Sequence, residues 1–185
     1  RSAMEPQLRN KIEDNIGIAK SKQNGMTLLT FPENLKIRQL SQRDTSNLAE
    51  IYKDVFDSYP FPIFEEEYLE ETMDSHIDYF GAFINNDLVA ASSAEMDKNA
   101  KNAEMTDFAT LPDYRGNNLS MMLLKEMEAL MRSKKMKTVY TIARALSTGM
   151  NVTFSKMNYV FAGTLINNTN IAGKIESMNV WYKNL

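Results

Sequence analysis

The chain has 185 residues, 43% of them hydrophobic, with a net charge of −3 and a pI near 5.3. That is the length of one domain, with enough apolar content to build a core without metals or disulfides. The absence of cysteine excludes a disulfide framework, thiolate metal ligation and chemistry through a cysteinyl intermediate. The acidic balance argues against general nucleic-acid binding, which needs a basic stripe, and favours a small basic partner. No apolar run approaches the ~20 residues of a membrane span and no secretory pattern opens the chain, so the expectation is a cytoplasmic protein with no membrane partner.

Residues Arg1-Ser2-Ala3 precede Met4 and read as a cloning remnant or the edge of a fragment. The polar segment 5–24 predicts a helix with Ile12, Ile16 and Ala19 on one face, ended by Gly25. Met26 to Phe31 reads as a short strand stopped by Pro32, so residues 1–34 are expected to form an appendage to a main domain over 35–185. Leu35 to Leu40 alternates like a half-buried strand, with Ser41 or Asp44 placed to cap the helix after it. Leu48, Ile51, Tyr52, Val55 and Phe56 keep helical spacing until the stiff loop Ser58-Tyr-Pro-Phe-Pro62, beyond which an acidic helix is predicted from about Phe64 to Met73.

Ile77 to Ile84, the turn Asn85-Asn86-Asp87, and Leu88 to Met96 predict an antiparallel hairpin. The lone His76 has no second His or Cys with which to share a metal, and no metal site is expected. A strand over 103–111 precedes a helix over 117–133, with Leu119, Met122, Leu123, Met127, Leu130 and Met131 inward, and a strand over 137–143. These form a βαβ unit with parallel strands. A helix over 148–157 and strands over 159–166 and 175–182, joined by a polar Asn-Asn-Thr-Asn turn, complete the order β-α-α-β-β-β-α-β-α-β-β. The expected fold is α/β (α+β), a mixed, mostly antiparallel sheet flanked by helices with a central βαβ unit.

The most informative stretch is Asn102 to Ser120, a strand broken by Pro112 and turned through Arg115-Gly116 into an amphipathic helix. A strand, a short loop with bare N–H groups and a helix N-terminus make an anion site suited to a pyrophosphate. Leu-Pro-Asp-Tyr-Arg-Gly-x-x-Leu resembles the pyrophosphate loop of the GNAT acyl-CoA N-acetyltransferases, usually Arg/Gln-x-x-Gly-x-Gly/Ala. Asn118 and Ser120 stand at its two later small positions; Asn tolerates positive φ, and Ser permits close approach. The element order from Leu35 onward, the segment Asn151-x-x-Phe154 to Tyr159 and the hairpin Gly81 to Glu95 carry the same resemblance. More narrowly, Thr106-Asp-Phe-Ala-Thr-Leu-Pro, Ala143-Arg-Ala-Leu-Ser and Ile175 to Lys183 resemble the β-lysine N-acetyltransferases.

That resemblance implies acetyl-CoA as cosubstrate and direct transfer of its acetyl group to a primary amine, most narrowly the side-chain amine of β-lysine, with a polyamine or protein lysine as acceptor, or a non-catalytic acyl-CoA-binding module, as the alternatives. It implies that backbone groups of Phe108, Ala109, Thr110 and Leu111 hold the acetyl and pantetheine portions. Amides of Arg115, Gly116, Asn117, Asn118, Leu119 and Ser120 would hold the pyrophosphate, and Asn151 the pantetheine arm. Arg115 has the alternative of a surface pair with Asp113.

A lysine-type ammonium, with a pKa near ~10.4, must lose its proton before attack, so a carboxylate is needed near the acetyl group. Glu104, six residues before Thr110 on the same strand, has a spacing similar to that of the base glutamate in the histone-acetyltransferase branch of the family, and that resemblance makes it the first choice. Asp107, expected on the opposite strand face, and Glu95, on the neighbouring strand, compete as base or as ammonium counter-ion, and all three have the plain alternative of a solvated or cross-strand carboxylate. Phe154 replaces the tyrosine many members use as general acid, so none is assigned, with Tyr159, Tyr182 or water as the alternatives. Arg144 is a candidate for a substrate carboxylate, Tyr59 and Phe61 for the acceptor side of the cleft, and Met150 and Met178 for an aliphatic pocket. Trp181 and Tyr182 are candidates for the cleft or for a homodimer seam.

Overall fold

The computed structural model of the protein describes residues 5–23, 32–171 and 173–185. The expected strand Met26 to Phe31 and the helix stop at Gly25 lie outside the described residues. Helix α1 (Pro6–Ser21) begins at a proline, whose preset φ suits the first helical turn. It buries Ile12 and Ala19, and Asn15 fastens it by donating to the Ala145 carbonyl at 3.2 Å and accepting from the Thr148 hydroxyl at 2.7 Å.

The described residues place seven strands in one sheet: β1 (Leu35–Gln39), β2 (Ile77–Ile84), β3 (Asp87–Asp97), β4 (Asn102–Thr110), β5 (Thr138–Arg144), β6 (Val160–Ile171) and β7 (Lys174–Asn184), in the order β1-β2-β3-β4-β5-β7-β6. Helices α2 (Thr45–Val55) and α3 (Glu66–Ser75) cover one face; α4 (Leu119–Ser133) and α5 (Thr148–Lys156) lie on the other. From β1 onward the element order is the expected one. Among these strands only β4 and β5 run parallel, as a crossover through α4 requires.

Each sheet face has its own core. Leu123, Leu124 and Met127 of α4 pack with Met105, Val139, Phe154 and Trp181. Leu48, Ile51 and Tyr52 of α2 pack with Leu69 of α3 and Tyr79. On α4 the fully inward residues include Met121 and Leu124, whereas Met122, expected inward, is half-buried. The Asn167 to Asn170 segment is not a turn but a continuation of β6: Asn167 takes φ 48°, its N–H bonds the Ser177 hydroxyl, and the register slips between Leu165 and Thr169. One left-handed asparagine makes a bulge where four polar residues suggested a reversal.

Two irregularities position the site. β4 and β5 pair at only three positions, ending at Glu104↔Tyr140, after which β5 stays with β7 as far as Arg144. The β5-facing edge of β4 beyond that point has no strand partner among the described residues, and the two strands open into a V. On its other edge β4 slips register against β3 between Ala91 and Ser93, and Asp107 sits in the bulge with φ 54°.

Candidate active site

The bulge decides which carboxylates meet. Ala103 and Met105 point into the α4-side core, so Glu104 and Thr106 face the α2 and α3 side. Plain alternation puts Asp107 opposite Glu104, and the structure overturns that expectation. The extra residue turns the Asp107 side chain back to the Glu104 side, where its carboxylate accepts from Tyr59 and from Ser93, each at 2.5 Å. Glu95 pairs directly across from Glu104, so three carboxylates share one face at the mouth of the V. Glu95 is half-exposed with His76 Nε2 3.5 Å away, while Asp107 is enclosed by hydroxyls.

Their surroundings separate them chemically. Burial pushes the Glu104 carboxyl up to about 7; the charges of Glu95 and Asp107 push the same way, and the Ile142 backbone N–H pulls it down. Burial also raises Asp107, opposed by the Ser93 and Tyr59 hydroxyls. The Tyr52 hydroxyl is fully buried without a hydrogen-bond partner among the described residues, and burial together with the nearby Asp107 charge raises it far above the ordinary phenol range. A carboxylate that titrates near neutrality beside a second, hydroxyl-bound carboxylate suits proton transfer at physiological pH.

From this cluster a cleft runs to the start of α4. Its inner end is a cavity of about 110 Å³ bounded by Tyr59, Asp107, Phe108, Ile142, Met150 and Met178. Its outer end, about 580 Å³, is bounded by Thr110, Gly116, Asn118, Ser120 and Thr153, and Phe56, Phe108, Arg144, Ser147 and Met150 line both. The loop from β4 turns through a 3-10 segment at Pro112–Tyr114, then takes φ 81° at Gly116 and φ 58° at Asn118, the N-cap of α4. Among the described residues the amides from Gly116 to Ser120 have no hydrogen-bond partner. Five bare N–H groups at the positive end of a 15-residue helix fit a pyrophosphate.

Several expected roles are altered by the contacts. The Arg115 amide donates to Pro112 and its Nε to the Thr110 carbonyl, so it neither joins the bare amides nor pairs with Asp113. The Leu111 amide donates to Val89 and its carbonyl accepts from Tyr114, so its N–H is taken within the protein. Asn151 is wholly buried. Its Nδ2 donates to the Arg144 and Ser147 carbonyls, and its Oδ1 accepts from Asn179 Nδ2 and Trp181 Nε1, both at 2.9 Å. With both hydrogens and both lone pairs engaged, Asn151 has nothing left for a pantetheine arm and is an internal strut. Trp181, anchored to it, belongs to the core and not to a cleft or a seam between copies.

Phe61 is 58% exposed and lines neither end of the cleft, whereas Tyr59 of the same loop is drawn inward by Asp107. Tyr159 lies in the α4-side core and Tyr182 on the outer part of β7; neither lines the cleft. Met150 and Met178 do line it, as expected. Among the described residues no cluster of metal-ligating side chains is present. Sequence reasoning passed over Ser93, which bonds Asp107, the unpartnered Tyr52 hydroxyl near it, and Glu176, which accepts from Arg144. Ser93 was recoverable, because strand alternation puts it on the same face as Glu95.

A parallel pair that splays beside a bulged strand, above a helix opening on bare amides, defines an acyl-CoA-type N-acetyltransferase fold. An N-acetyltransferase structure from Staphylococcus aureus Mu50 superimposes with a TM-score of 0.71 at 18% identity, covering 82% of this chain and 99% of that one. The profile of the acetyltransferase (GNAT) family matches residues 45–150, and the chain belongs to that family. It is 46% identical to the Beta-lysine N(6)-acetyltransferase of Methanococcus maripaludis over 82% of this chain and 55% of the relative. It is 37% identical to the Beta-lysine N(6)-acetyltransferase of Methanosarcina mazei over 84% and 57%. The chain thus spans about half the length of the curated relatives it matches. GNAT acetyltransferases use acetyl-CoA as cosubstrate. No described helix is long and apolar enough to cross a membrane.

Proposed function

We propose that the protein is an acetyl-CoA-dependent N-acetyltransferase that acts in the cytoplasm on the side-chain amine of β-lysine. The observation that carries this reading is the polarity of the cleft: the Asp107 carboxylate at one wall with Glu104 beside it on the same strand face, the Arg144 guanidinium at the other, and bare amides at its outer end. An acceptor with an ammonium at one end and a carboxylate at the other matches the two walls. The names of the two relatives support the same acceptor.

In this reading the amides of Gly116 to Ser120 hold the pyrophosphate, and the acetyl thioester lies in the V against the unpaired edge of β4 near Phe108 to Thr110. Backbone donors there stabilise the negative charge that develops on the acetyl oxygen. Glu104 takes a proton from the bound ammonium. The freed amine forms its N–C bond, the C–S bond breaks, and the second proton shed by the nitrogen goes to the departing thiolate through water, with no protein acid needed. Asp107, held by Tyr59 and Ser93, adds with Glu95 to the burial that keeps the Glu104 carboxyl high.

The test is thiol release from acetyl-CoA with β-lysine, α-lysine, polyamines, an aminoglycoside and a lysine peptide, with the product read by mass. Selective turnover of β-lysine is the expected result. Preference for a polyamine or the peptide removes the acceptor, and acetyl-CoA binding with no turnover of any amine removes the reaction.

A further inference from the structure

Arg144 and Glu176 form a pair whose asymmetry has a use in the cleft. Arg144 ends β5, lies opposite Met178 on β7, and lines both ends of the cleft. Glu176, two residues before Met178, is on the same face of β7 and reaches Arg144 diagonally. Its carboxylate accepts from Arg144 Nε and from Nη2, both at 2.8 Å, with Lys174 Nζ 3.5 Å away. The Glu176 side chain is 5% exposed, but that of Arg144 is 42% exposed.

A guanidinium has two edges that fit a carboxylate: the side edge of Nε and Nη2, and the end edge of Nη1 and Nη2. Glu176 takes the side edge. The end edge makes no hydrogen bond to another described residue, and Arg144 borders the cleft. A flexible arginine loses rotamer freedom on capturing a ligand; one clamped by a buried carboxylate has already lost it.

Distance suits the same use. Arg144 is four residues along β5 from Tyr140, the partner of Glu104, a separation of about 13 Å along the strand at ~3.3 Å per residue. Arg144 leans along the sheet to Glu176, away from Tyr140, so the guanidinium stays at least that far from Glu104, a gap on the scale of an extended short diamino acid with a hydrogen bond at each end.

We infer that Glu176 is a positioning residue for acceptor recognition: it clamps the side edge of Arg144 so that the end edge receives the acceptor's carboxylate. This rests on the acetyltransferase reading above and extends it to a specificity device. The pair discriminates amino acids from the corresponding diamines, because a diamine leaves the end edge without a partner.

The experiment compares kcat/KM for β-lysine and for 1,4-diaminopentane, which is β-lysine without its carboxylate, in the wild type and in Glu176→Gln. The wild type is expected to prefer β-lysine, and the variant to lose at least tenfold of that preference through a raised KM for β-lysine. A role confined to holding β5 and β7 together would lower both activities in parallel and leave the ratio intact, which overturns the inference. Should Glu176→Gln not fold, Arg144→Lys reads the same ratio, since lysine keeps the charge but has no second edge; an unchanged ratio there is equally fatal. Turnover of amines with no preference for β-lysine in the wild type defeats the inference while sparing acetyl transfer. No turnover of any amine defeats both.

Discussion

Two buried polar clusters lie on opposite faces of the same sheet and are built on opposite terms. Around Asn151, every side-chain hydrogen and lone pair is matched by Arg144, Ser147, Asn179 or Trp181. Around Glu104 and Asp107, carboxylates sit within reach of each other's charge, a tyrosine hydroxyl goes without a partner among the described residues, and the acid titrates near neutrality. A closed network holds one arrangement and has no capacity for a ligand. An open network is held in place by its surroundings, and its incomplete pairing is what a substrate completes. Residue type does not separate the two, since a buried Asn in a family motif and a buried Glu on a strand both look functional in sequence.

The sharpest way to break the comparison is Glu104→Gln. It should lower kcat about 10²- to 10⁴-fold with acetyl-CoA affinity little changed, read by steady-state kinetics and calorimetric binding. Asn151→Ala should act the other way, leaving the buried Asn179 Nδ2 and Trp181 Nε1 donors unmatched and removing the side-chain bonds to the Arg144 and Ser147 carbonyls. It should destabilise the fold by about 3 kcal/mol in urea unfolding, and acetyl-CoA should bind the folded fraction as before.

Gly116→Ala tests the outer cleft. Space is open around a Cβ there, so the effect comes from φ 81° alone. It should weaken acetyl-CoA binding by about tenfold through strain of roughly 1 kcal/mol or more, with little effect on the pH dependence. The smallest effect is expected at Asp44, on the far edge, whose carboxylate accepts from Arg38 at 2.7 and 2.9 Å and from the Ser41 amide at 2.9 Å. The Arg38 hydrogen bonds chiefly hold its carboxyl down to about 2. A lowered carboxylate contributes stability above its unfolded pKa and loses it as pH falls toward the folded value. Asp44→Ala should therefore cost about 1 kcal/mol at pH 7, a difference that fades between pH 4 and 2, with catalysis unaffected.

Much of this was legible in the chain. Strand alternation and helical spacing set the element order from Leu35 onward, and Arg115-Gly116 with Asn118 marked the turn into α4, where both Gly116 and Asn118 take positive φ. What escaped depends on irregularities with no compositional signal. Asp107 is an aspartate in the left-handed region inside a strand, and nothing in Thr106-Asp107-Phe108 announces a bulge that moves its side chain to the other face. The closure of Asn151 needed β7, 28 and 30 residues away, to bring Asn179 and Trp181 beneath it. Glu176 was hidden because its partner, Arg144, lies 32 residues away on a different strand. Local pattern reports periodicity well; pairings across the sheet are set by register, which only the folded chain displays.

The central claim is that Glu104 is the base in an acetyl transfer, and the pH dependence of kcat/KM for β-lysine tests it most directly. With wild-type protein the account predicts an ascending limb with its midpoint near pH 7, and in Glu104→Gln that limb disappears along with most of the activity. A wild-type limb near 7 that survives unchanged in Glu104→Gln, at comparable height, would contradict it.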